Sequence, residues 1–431
     1  MAHRSSTWPA ITYEALAWEG SLGPGTTSRT QMRSHQGPYR AAITPGIAGA
    51  ELRLPSDVLA IVDDAASEVS RFDVEMGGEI APFATVLLRS ESAASSRIEN
   101  LTASARAISE AEIGVRHRAN ATEIVGNVAA MNAALALVDG VTEQAILEMH
   151  TALLHDVDPG MTGRWREQQV WVGGSNVGPH LAAFVPPSHE RVPAAIADLI
   201  SFIDRDDLPV LAHVAIAHAQ FETIHPFPDG NGRTGRALMH AMLRGKGLAR
   251  NVTVPISAGL LTDVDRYFEA LGAYRQGDPV PIVTQLTDAS YAAIANGRQL
   301  VGRLRDIRAD WQQRINVRRG ANAWKLADLL VRLPVVNAAV ISRELGIPGP
   351  NVYRSLAPLE EAGVLTASTA RRDRVWRAQE VLDALDEFAA RARRRHPDAR
   401  DGHSEQLAEL PDLDVDANDV VIALEHERHE R

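Results

Sequence analysis

At 431 residues, 45% hydrophobic and 23% charged, the chain suits two or three globular domains rather than a fibrous or broadly disordered polymer. The formal net charge of −11 argues against non-specific coating of nucleic acid, and the absence of cysteine excludes disulfides and thiolate-held zinc and fits a cytoplasmic location. No apolar run approaches the roughly eighteen residues that span a bilayer, and no apolar region follows the N-terminus, so no membrane partner and no secretory signal are expected.

Residues 1–40 are polar and rich in Gly, Ser and Pro, which predicts an extended or mobile leader. Ser56 suits an N-cap, because Val58, Leu59, Ile61 and Val62 then begin a helical apolar face. A helix follows over 81–99, with Phe83, Val86, Leu87, Ser90 and Ala94 on one side. At its end Ser95 and Glu99 share a face, and Asn100 suits the left-handed residue that stops a helix. Residues 101–155 are Ala-rich and predict three helices without evident chemistry.

Asp158-Pro159-Gly160 is a turn. The pattern of 164–172, Gly173-Gly174 and 181–185 then predicts a β-hairpin closed by Pro186-Pro187. Helices are predicted over 192–203, 208–224 and 234–243, then, after a connector, over 264–274, 282–300 and 299–316. Arg318-Arg319-Gly320 marks a domain boundary. Beyond it, 321–396 reads as three short helices and a hairpin whose tip carries Arg371, Arg372 and Arg374, and 397–431 reads as an acidic, disordered tail.

The densest chemistry lies in residues 225–236, between two predicted helices. A Gly-rich loop that opens into a helix presents free N–H groups and the positive end of the helix dipole to an anion. Gly230 and Gly232 let backbone approach phosphate closely, and Arg233 and Arg236 suit a polyphosphate with several oxygens to neutralise. Asp229 is a hard oxygen ligand of the kind Mg2+ accepts when phosphates supply the others. His225 is the side chain in the loop able to take a proton near neutral pH. Together these are the parts for phosphoryl or nucleotidyl transfer.

At these residues the sequence resembles the Fic family, whose signature runs His-Pro-Phe-x-Asp/Glu-Gly-Asn-Gly-Arg-x-x-Arg; every specified position is filled. The resemblance implies a mainly α-helical catalytic domain, here 41–318, that transfers AMP from its substrate ATP to a hydroxyl of a target protein. It implies His225 as the base and Asp229 as the Mg2+ ligand. Gly230, Asn231 and Gly232 would hold the α-phosphate, Arg233 and Arg236 the outer phosphates, with Thr234 and Gly235 completing the nucleotide-binding string. Tyr267 stands where relatives often place an aromatic beside adenine.

The run from Ser95 to Asn100 resembles the family's inhibitory helix, here 81–100, and implies that Glu99 pairs with Arg236 and blocks the γ-phosphate position. The segment 164–187 resembles the Fic flap, implying that Val170, Trp171, Val172 and Gly173 pair with the target's backbone by strand addition. Residues 321–396 resemble the winged helix-turn-helix modules that follow many Fic cores; DNA would meet Asn351, Arg354 and the arginine-rich tip, although Glu360 and Glu361 oppose it. Relatives often form homodimers. A de-AMPylase or other nucleotidyl or phosphoryl transferase, and a DNA-binding regulator with a sensing nucleotide site, stay open as alternatives.

Overall fold

The computed structural model describes residues 8–18, 37–77, 82–115, 118–137, 140–174, 177–318, 320–368 and 374–393. The chain opens with two antiparallel strands, β1 (Thr12–Leu16) and β2 (Tyr39–Ile43). Five helices follow: α1 (Ser56–Gly77), α2 (Pro82–Ile98), α3 (Ala105–Glu112), α4 (Ala119–Leu135) and α5 (Glu143–Leu154). After an irregular stretch come α6 (Val192–Ile203), α7 (Val210–Ile224), α8 (Asn231–Gly245), α9 (Ile256–Leu260), α10 (Val264–Arg275) and α11 (Val280–Arg314). The C-terminal part is α12 (Asn322–Arg332), β3 (Val335–Asn337), α13 (Ala338–Leu345), α14 (Gly349–Glu361), β4 (Thr366–Ala367), β5 (Val375–Arg377) and α15 (Gln379–Arg391). The fold is mostly helical, as the sequence indicates.

Local chemistry accounts for several boundaries. Thr142 caps α5 by accepting the Ala145 N–H at 3.1 Å, and Asn337 caps α13 through the Val340 N–H at 2.9 Å. Asn100 ends α2 with φ 59°, while its N–H and that of Leu101 return to the carbonyls of Arg97 and Ser96. Helix α7 is buried on every side from Leu211 to Ile224, the pattern of a central core helix, and it delivers the loop that begins at His225 from its C-terminus.

Three sequence expectations are corrected. The leader is not free throughout, because β1 pairs with β2 and Trp8 is buried against Phe202 and Tyr274, with ring centroids 6.2 Å away in each case. The two helices expected over 282–316 are one 35-residue helix, α11, since no Gly-Pro stop interrupts the stripe that runs from Ile282 to Trp311. Among the described residues the hairpin expected over 164–185 reduces to one antiparallel bridge, Val172 with Phe184. Gly173 and Gly174 both take positive φ there and turn the chain out of strand geometry.

The C-terminal part joins the same hydrophobic core as the rest, from Val62 and Phe72 through Leu304 and Trp311 to Leu330 and Phe388. Its strands form a sheet of order β3-β5-β4 beside α12, α13 and α14. The leader at 1–7 and 19–36, residues 371–373 of the arginine-rich tip and the acidic tail beyond 393 lie outside the described residues.

Trp8 gives the leader its hold on α6 and α10, so Trp8→Ala is expected to cost about 3 kcal/mol in urea unfolding. An unchanged midpoint would return residues 8–18 to the status of a passive extension.

Candidate active site

The loop between α7 and α8 is held from within. His225 ends α7 in the left-handed region (φ 50°, ψ 62°), with its N–H on the Phe221 carbonyl at 2.9 Å. A non-glycine residue there is strained and needs surroundings that over-determine it. Asn231 supplies one lock: its amide accepts the Phe227 N–H and donates to the Phe227 carbonyl, both at 2.8 Å. His150 supplies another, stacking on the Phe227 ring at 3.7 Å while its Nε2 meets the Asp229 carbonyl at 3.1 Å. Gly230 turns the chain with φ 75°, a conformation that strains any residue with a Cβ, and a Cβ there would also press on Leu153 Cδ2 at 2.7 Å.

The His225 imidazole is partly exposed. Burial, then the cations of Arg166 and Arg275, pushes its pKa down to about 3, against the opposing pull of the Glu222 carbonyl and Asp229. The ring is therefore neutral at physiological pH and able to accept a proton. Burial likewise lowers the pKa of His150, to about 4.

Both arginines of the loop are buried and engage acidic side chains. Arg233 ion-pairs with Glu99 at 2.8 Å, Glu123 at 3.1 Å and Asp229 at 3.5 Å. Arg236 donates to the Ser95 hydroxyl and carbonyl, each at 2.8 Å, and to Glu99 Oε1 at 2.7 Å. Burial alone lowers both guanidinium pKa values; Glu99 and its neighbours more than restore them. Glu99 thus bridges the two arginines: the pairing with Arg236 that the resemblance implies is present, and one with Arg233 is added. A Cβ on Gly232 would stand 2.3 Å from Glu99 Oε1 and 2.8 Å from Arg236 Nη1. The carboxylate therefore rests on the first turn of α8, at the anion-favouring end of its dipole.

Other expected contacts fall elsewhere. The Asn231 amide is committed to Phe227, and Thr234 is fully buried. Gly235 serves helix packing, since a Cβ there would meet Phe221 Cδ1 at 2.9 Å and Glu222 Oε1 at 3.2 Å. Tyr267 is buried in the core, its hydroxyl 2.8 Å from His218 Nε2, because α10 packs that ring inward against α7. The flap residues Val170, Trp171 and Val172 are half-buried and Gly173 is buried. Trp171 packs edge-on against Trp18 at 5.6 Å, and Ala42 of β2 donates to the Val185 carbonyl at 3.0 Å, so the flap packs beside the N-terminal strand pair.

Sequence reasoning missed His150, Glu123, Arg166 and Glu222. Glu222 had a visible signal, a lone carboxylate on an otherwise uncharged helical stretch three residues before His225. Burial raises its pKa to about 7, with Arg236 lowering it and Glu99 raising it.

Residues 140–243 match the sequence profile described as the Fic/DOC family. Over 159 residues the chain is 32% identical to the protein adenylyltransferase fic-1 of Caenorhabditis elegans, covering 36% of this chain and 28% of that one. Over 178 residues it is 33% identical to the protein adenylyltransferase Fic of Drosophila melanogaster, covering 39% and 32%. The chain therefore spans about a third of the length of these curated relatives. In fold it resembles a Fic family protein from Desulfovibrio desulfuricans G20, with a TM-score of 0.51 at 22% identity over 78% of this chain and 98% of that one.

The Glu222 pKa in the fold lies above its ordinary 4.5, so folding takes up a proton here. The stability this contributes is complete below the ordinary pKa and is lost as pH rises through the folded one, about 7. Glu222→Gln is expected to flatten urea midpoints measured from about pH 5 to about pH 8 and to exceed the parent at the alkaline end. A slope unchanged by the substitution would assign it to other groups.

Proposed function

This chain carries a Fic domain, and from that premise we propose that it is a protein adenylyltransferase, taking AMP from ATP to a hydroxyl side chain of a target protein and restrained by Glu99. The observation that carries the reading is the Glu99 carboxylate spanning Arg233 and Arg236 at the mouth of α8. Two buried guanidiniums beside a helix N-terminus require anionic partners, and a triphosphate offers several oxygens where Glu99 offers two. Breaking one side of a buried ion pair costs about 3–5 kcal/mol, so nucleotide entry in the productive pose must replace what Glu99 supplies.

In the transfer step the acceptor hydroxyl gives its proton to the neutral imidazole of His225. Its oxygen bonds to the α-phosphorus while the bond from that phosphorus to the bridging oxygen breaks, and pyrophosphate leaves with the electron pair. Arg233 and Arg236 hold the leaving phosphates. Gly230 and Gly232 keep the backbone open to the α-phosphate, with no Cβ between.

Mg2+ fits the donor set. Asp229 is partly exposed, its Oδ1 accepts the Gly230 N–H at 2.6 Å, and among the described residues no cluster of three metal-binding side chains occurs. A single carboxylate with phosphate oxygens is the usual protein share of a Mg2+ shell, and the ion would neutralise phosphate charge. The bridge at Val172 and Phe184 supports docking of the target backbone along 170–173 by strand addition. The order β3-β5-β4 beside three helices supports a winged-helix reading of 321–396; Arg374 is already paired with Glu360 at 3.2 Å, which disfavours it as a phosphate contact.

ATP labelled at the α-phosphate is expected to mark protein, the chain itself included, while γ-label does not; marking by γ-label would indicate phosphoryl transfer instead. His225→Ala should reduce α-label incorporation by at least about a hundredfold. Glu99→Gly should raise it by about tenfold or more, and equal incorporation in parent and variant would remove Glu99 from the regulatory role.

A further inference from the structure

Arg166 is buried, and burial lowers its pKa to about 10, with Tyr39 acting in the opposite direction. Such a cation must have its donors satisfied. Here the partners are backbone carbonyls drawn from three places in the chain. Nε donates to the His225 carbonyl at 2.9 Å, Nη1 to Gln168 at 3.0 Å, and Nη2 to Pro187. The backbone N–H of Arg166 also donates to the Pro226 carbonyl at 2.9 Å. One residue therefore fastens the first two positions of the catalytic loop to both ends of the flap.

The mechanical consequences follow from where those carbonyls sit. The His225 carbonyl belongs to the strained left-handed residue that aims the imidazole. The Gln168 and Pro187 carbonyls bracket the segment that holds the Val172–Phe184 bridge. Around that bridge, Gln169 Nε2 donates to Val170 at 3.0 Å and Pro186 at 2.9 Å, and the Arg275 guanidinium lies 3.8 Å from the Phe184 ring centroid. None of these groups bonds directly to Arg233, Glu99 or Arg236, so flap alignment can be altered without removing any of the side chains that bind the anion.

From this geometry we infer that Arg166 is a positioning residue that holds the His225 imidazole and the flap segment 170–173 in one frame, serving the transfer step and not nucleotide binding. The inference rests on the transferase reading for its functional half. Lysine cannot substitute, because an ammonium is a point donor and the planar guanidinium fork serves three carbonyls at fixed directions. A displacement of about 1 Å between base and acceptor can cost about a hundredfold in rate.

The test uses the whole 431-residue chain with Glu99→Gly, alone and combined with Arg166→Lys. Three quantities are measured: the single-turnover rate of α-label uptake by the chain itself, the Kd and stoichiometry for Mg-ATP, and amide exchange. The double variant is expected to lose about a hundredfold in rate while Kd stays within about threefold at one nucleotide per chain. The amides of Val172 and Phe184 should exchange about tenfold faster or more, with those of α8 unchanged. A retained rate, or a loss of affinity equal to the loss of rate, would overturn the proposal. If Glu99→Gly alone takes up no label, the transferase reading fails. Amide exchange then still decides the positioning role: equal protection of Val172 and Phe184 sinks it, and faster exchange upholds it.

Discussion

The site depends on one electrostatic constraint, that two guanidiniums are buried side by side on the first turns of α8. A buried cation is tolerated only with partners close by, and the fold supplies three carboxylates, Glu99, Glu123 and Asp229, together with the carbonyl and hydroxyl of Ser95. These carboxylates are not equivalent. The Glu123 side chain is only 4% exposed, whereas that of Glu99 is 27% exposed and stands at the last turn of α2. On the proposed reading Glu99, the more exposed of these two, is the partner that an incoming anion replaces, while Glu123 stays to keep Arg233 aimed.

The second constraint is backbone strain at His225. Its left-handed conformation is held from both sides, by α7 through the Phe221 carbonyl and by Asn231, His150 and Arg166 through the loop. Three of the four contacts use side chains to fix backbone, leaving the imidazole free for chemistry. That division of labour explains why Asn231, which the family resemblance assigned to phosphate, spends both its polar atoms on Phe227. On the proposed reading, backbone N–H groups of the helix mouth then face the α-phosphate, and the amide acts through the shape of the loop.

What the sequence made legible is what lies close together in it. The string from His225 to Arg236 carries its chemistry in consecutive residues, and Glu99 with Asn100 carries its own helix stop. Residues whose meaning lies in a distant partner were invisible: Arg166 meets His225 across 59 positions and Glu123 meets Arg233 across 110. Spacing also identifies a helical face without saying what packs on it, so Thr234, Gly235 and Tyr267 looked equally able to face a ligand or the core. The β1–β2 pair was lost for a related reason, because a Gly/Ser/Pro-rich intervening stretch masks two short strands that only their pairing makes ordered.

Gly232 links restraint to reactivity. The missing Cβ that leaves room for a phosphate is the space into which Glu99 Oε1 now fits, since a side chain there would stand 2.3 Å from it. On the proposed reading, inhibitor and substrate anion compete for one volume, and exchange between them requires no rearrangement of the core. Nor does the helix that bears Glu99 have much freedom to move. Arg97 donates to the Ala389 carbonyl at 2.7 Å, and the Ala105 N–H donates to Asp386 at 2.9 Å, so α15 grips the chain on both sides of residue 99. With its flanks tied to the C-terminal part, the carboxylate can leave the arginines by side-chain rotation at the end of α2, and a larger displacement would have to carry α15 with it.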